Sequence, residues 1–131
     1  MQDRPDKAAL LDAVAEFLMH DVKPYITDPA LGFRVLIAAN LASVAAREER
    51  LEAAHDGAQL GRLRWLLPDV DVREMAPEAA LLQLNVALAD RIRNGGIPEN
   101  RHADLWSHVT ETLREKLAVI NPRFDTSPAF N

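Results

Sequence analysis

The chain has 131 residues, no cysteine and a formal net charge of −5. That length suits one domain with its own core, and the missing cysteine excludes disulfides, thiolate metal ligands and thiol nucleophiles. The acidic balance, with no dense Lys/Arg tract, argues against nucleic acid as a partner.

The N-terminal MQDRPDKAALL carries early acidic residues and no apolar run of the secretory type. No stretch reaches the ~18–20 uninterrupted apolar residues of a membrane span. These features predict a cytoplasmic protein with no membrane partner. Twelve arginines against three lysines read as genomic compositional bias, not as an arginine-based site.

Apolar residues recur with helical spacing throughout, and no segment alternates long enough for a strand. The first helix is predicted from about Lys7 to His20, with Asp6 as N-cap and Leu10, Leu11, Val14, Phe17 and Leu18 as its apolar stripe. Pro24 ends or kinks it. Asp28 can cap the second helix, with Pro29 at its first position. This second helix contains FRVLIAANLASVAAREE, residues 33–49, and reaches about Leu51.

A third helix is predicted from about Ala53 to Leu67, weakened by Gly57 and Gly61, with a break at HDG as the alternative. Residues 68–77 form a connector bracketed by prolines. The fourth helix starts at Pro77 and ends before Gly95 and Gly96, with Leu81, Leu84, Asn85, Leu88 and Ile92 inward. RNGG, 93–96, reads as a C-cap. The fifth runs from about Arg101 to Ile120, with Leu105, Val109, Leu113, Leu117 and Ile120 inward, and Asn121-Pro122 stops it. The result is an all-α, single-domain antiparallel bundle of about five helices over residues 1–124, followed by a loose tail, 125–131.

On a helical wheel the second helix is apolar on nearly every side, which predicts a central position with neighbours all around. Asn40 then points inward, and a buried amide needs a partner because leaving it unpaired costs about 1–3 kcal/mol. Asn85 interrupts the fourth helix in the same way, so the two are expected in one buried, register-setting network. Arg34 sits near the positive end of the helix dipole. It calls for a compensating carboxylate, with Glu16 and Asp12 as candidates, or for a bound anion, with Arg91, Arg93 or Arg123 as helpers.

Two Glu-x-x-His units, Glu52–His55 and Glu99–His102, have the spacing of di-iron bundle ligands. They lack inward glutamates from two further helices, so no metal site and no cofactor are assigned. Ser107 and His108 are adjacent, and consecutive helical residues diverge by ~100°, so they form no nucleophile–base pair. No catalytic residue emerges. Trp65 and Trp106 suit a core or a protein interface.

Four segments, QDRPDKAALLDAVAEFL at 2–18, FRVLIAANLASVAARE at 33–48, LNVALADRIRNG at 84–95 and KLAVINPRF at 116–124, resemble a bacterial family of small helical proteins of unknown function. The resemblance implies a genomic association with aminoglycoside-phosphotransferase-like kinases and acyl-CoA dehydrogenase-like enzymes, and carries no catalytic residues.

Two functions therefore stand open. One is a non-enzymatic accessory module that binds a partner protein, such as one of those enzymes, or itself. The other is a binding protein or enzyme for an anionic small molecule, a phosphate or acyl-CoA, centred on Arg34.

Overall fold

A computed structural model describes residues 5–124; the C-terminal tail, 125–131, lies outside the described residues. The chain is all-α, with no strand and four α-helices among the described residues. Their ends follow local chemistry. The Asp6 carboxylate accepts from the Ala9 amide at 2.8 Å and caps α1, Lys7–Glu16. The helix then widens into a π-helical turn, Phe17–Val22, and tightens into a 3₁₀ turn, Lys23–Tyr25, where Pro24 lacks an amide hydrogen. Asp28 accepts from the Ala30 amide at 3.1 Å and opens α2 with Pro29 in its first position, as predicted.

The largest departure from expectation is α2 itself. It is one continuous helix, Pro29–Leu66, so the predicted second and third helices are a single element of 38 residues, about 57 Å long. Gly57 and Gly61 each weaken a helix by roughly 1 kcal/mol. Neither breaks it, because Leu60, Leu63, Leu66 and Leu67 dock beside them into the main apolar cluster. Tertiary burial outweighs the local propensity.

The described helices group into two compact units. In the unit spanning Ala53–Leu117, the second half of α2 packs with α3, Pro77–Arg93, and α4, His102–Ile120. Leu63, Leu67 and Leu84 are fully buried, with Leu66, Val72, Ala80, Leu88 and Ile97 around them. Val72 carries the connector into this core, and Asp69 pins it through paired hydrogen bonds from Arg91.

The α3 end is the C-cap foreseen at RNGG. Gly95 takes φ +66, and the Gly96 amide donates to the Arg91 carbonyl at 2.7 Å. That 6→1 bond with a left-handed glycine is the Schellman arrangement. The apolar faces are turned from expectation: α4 buries His108, while Leu113 and Ile120 are exposed, and on α3 Ile92 is half exposed.

In the other unit, residues 5–52 with Ala118–Phe124, the buried residues are small: Ala8, Ala15, Ala39 and Ala46. Asp12 of α1 bonds Arg50 of α2 at 2.7 Å, an ion pair between two helices of this unit. Arg47 donates from Nε to the Val119 carbonyl at 2.8 Å and satisfies the last turn of α4.

This overturns the expectation that FRVLIAANLASVAAREE is buried on every side. Phe33 and Leu41 are 62% and 61% exposed, and Ile37 is also exposed. Helical periodicity reports which side chains are apolar, not how many neighbours exist to cover them. By length and composition α2 could cross a membrane, and only 11% of its most apolar stretch is buried.

Candidate functional site

The most organised polar cluster lies within the Ala53–Leu117 unit, on residues that the sequence reading did not single out as a group. On α4, His108, Thr112 and Glu115 stand at i, i+4 and i+7, a spacing that puts all three on one helical face. Arg62 of α2 reaches them together. Its Nη2 donates to Glu115 Oε1 at 2.6 Å and to the Thr112 hydroxyl at 3.3 Å, and its Nη1 donates to Glu115 Oε2 at 3.4 Å. Its Nε donates to His108 Nδ1 at 3.1 Å.

This geometry fixes a tautomer. A guanidinium has no acceptor, so the His108 Nδ1 that faces Arg62 holds a lone pair. The proton of the neutral ring is then on Nε2. Burial, and next the Arg62 charge, push the His108 pKa below its usual value, against a smaller opposing effect of Glu115. The imidazole is therefore held neutral near pH 7 as an Nε2 donor.

His108 is 4% exposed, and no buried side-chain nitrogen or oxygen among the described residues lacks a partner. With Nδ1 engaged by Arg62, Nε2 is left to meet solvent, and His108 lines a groove of about 350 Å³. Gln59 of α2 and Asn85 of α3 line it, the Gln59 amide donating to Asn85 Oδ1 at 3.5 Å. Thr112 and Lys116 of α4 line it as well, and Leu88, Val109 and Leu113 add apolar lining. The arrangement can bind and orient a small acceptor group. The missed signal was the His108–Thr112–Glu115 spacing beside an apolar stripe, with an arginine set among the leucines of α2.

The residues singled out from the sequence are not brought together. Arg34 is exposed and has no ion pair or hydrogen bond among the described residues, so neither Glu16 nor Asp12 pairs with it. It belongs to the same unit as Arg123, which is also exposed. Arg91 and Arg93 belong to the other unit, paired with Asp69 and Asp90 respectively.

The pairing of Asn40 with Asn85 is not formed. Both are exposed, they belong to different units, and Asn85 bonds Gln59 instead. The reason is the one that exposes Phe33: among the described residues no helix covers the side of α2 that carries Asn40. Among the described residues no three His, Asp or Glu side chains converge as a metal site. Trp65 and Trp106 are both exposed, with Arg101 stacked 5.4 Å from the Trp65 ring centre.

No curated protein and no solved structure is detectably similar to the chain. A family model does match, over residues 26–124, which takes in all of α2, α3 and α4 together with the groove. The chain thus belongs to the family described as domain of unknown function DUF6285.

Proposed function

We propose that this protein is a cytoplasmic helical interaction module that acts by binding a protein through the outward apolar side chains of α1 and the first half of α2. The carrying observation is an inversion within that unit. Its helices bury alanines, while Phe17, Phe33 and Leu41 each keep more than half of their surface in water. Fully covering such a side chain contributes about 1.5–3 kcal/mol. Leu10, Val14 and Ile37 are exposed beside them in sequence, which goes beyond the singly scattered apolar residues of an ordinary surface.

The occupant that best fits is a second copy. A two-helix hairpin with outward apolar residues is half of a four-helix core, and two copies complete it with closed twofold symmetry. The phosphotransferase-like kinases and acyl-CoA dehydrogenase-like enzymes implied by the family resemblance are the candidate partners beyond self-association.

Sedimentation over a hundredfold concentration range tests the reading. A dimer that dissociates on Phe33→Ser with Leu41→Gln, while helix content is kept, is the expected result. A monomer at every concentration that also retains neither enzyme on co-expression overturns it. So does flotation with lipid vesicles that depends on Phe33, since α2 would then be meeting lipid.

A further inference from the structure

We infer that the groove at His108 is a binding site for a small aliphatic carboxylate, held by a hydrogen bond from His108 Nε2 and by the charge of Lys116. This site lies entirely within the Ala53–Leu117 unit and does not draw on the apolar side chains of α1.

Three observations meet there. First, a histidine that is almost wholly buried lines the groove with one ring nitrogen not engaged by protein, and its ring is held from behind. Glu115 holds Arg62 and Arg62 holds Nδ1, which leaves Nε2–H as the ring's available donor on a residue that lines the groove. A donor fixed this way needs no reorganisation when an acceptor arrives. Second, the charges select a monoanion. Glu115 neutralises Arg62 at 2.6 Å, which leaves Lys116 as the formal charge among the groove residues. A phosphate dianion would call for more positive charge than this. Third, Leu88, Val109 and Leu113 line the same groove and can cover a short hydrocarbon body. The volume of about 350 Å³ lies at the small end of ligand sites.

The ligand's carboxylate therefore accepts from Nε2 and lies beside the ammonium of Lys116, with the Gln59 and Asn85 amides within the same rim. No proton moves on binding: His108 remains neutral and serves as a donor, and no bond is made or broken.

Sodium hexanoate, hexanol and inorganic phosphate are the probes, read by nitrogen-15 NMR of the histidine rings and the backbone amides. Free protein should show the Nε2–H tautomer at His108. Hexanoate should shift His108 Nε2 and the Lys116 amide in a saturable way, and hexanol and phosphate should bind at least fivefold more weakly. Lys116→Met, a change at an exposed position, should weaken hexanoate at least fivefold and leave the His108 tautomer unchanged. The proposal is overturned if hexanoate leaves His108 unshifted in the folded protein, if hexanol binds as well as hexanoate, or if Lys116→Met has no effect. Stronger binding of phosphate than of hexanoate also overturns it.

Discussion

The two units of this protein spend their apolar residues in opposite ways. Around α3 and α4, leucines from three helices converge, and Leu63, Leu67 and Leu84 are fully covered. Around α1, the covered residues are alanines and the large side chains face outward. Burying an alanine methyl contributes far less than burying a leucine side chain. The unit around α1 has buried alanines, an Asp12–Arg50 ion pair and the Arg47 contact with the end of α4, and its large apolar side chains are exposed. The same long helix serves both purposes, so its composition alone does not reveal where its role changes.

Truncation breaks this comparison most directly. Leu84→Ala removes a fully buried side chain and should cost about 2–5 kcal/mol in urea unfolding of the protein. Leu41→Ala removes an exposed one and should change the stability of the monomer by less than about 0.5 kcal/mol. A loss at Leu41 that equals the loss at Leu84 at low protein concentration would mean that both units have covered cores.

Acid should act on the unit that contains His108. Its folded-state pKa lies below the ordinary 6.5, chiefly through burial and then through Arg62. The unfolded chain thus binds the proton first, and the stabilisation is complete above that ordinary value. It declines as pH falls from there through the depressed folded value. Thermal melts between pH 7.5 and 5 should show the decline, and His108→Gln should flatten the part that belongs to this ring. An unchanged profile in the variant would assign the acid sensitivity to other groups.

The smallest effect sharpens the continuity of α2. A Cβ at Gly57 or Gly61 meets nothing within 4 Å. Gly57→Ala and Gly61→Ala should each stabilise by about 0.4–1 kcal/mol, because the unfolded chain loses freedom while the helix accepts the methyl. Destabilisation by Gly57→Ala would show that a hinge is needed at HDG, and destabilisation by Gly61→Ala would show that α2 needs one at that position.

Much of the local structure was legible in the sequence because the relevant forces are local. Asp6, Asp28 with Pro29, and the glycines after Arg93 declared the starts and the stop they make, since a cap satisfies orphan backbone groups within a few residues. The break expected between Leu51 and Ala53, or at HDG, is absent for the opposite reason: the leucine cluster that holds α2 together beyond it is assembled from distant segments.

The candidate site was hidden for a related cause. His108 next to Ser107 carried no visible meaning until Arg62, 46 residues away, was placed against its Nδ1. What the sequence determined by itself is the helical class, the caps and the apolar side chains available for burial. Tertiary structure decided which of them found cover, because burial depends on how many neighbours surround a position, and a helical period cannot count neighbours. It likewise turned a histidine on an apolar stripe into an oriented donor and left Asn40 in water.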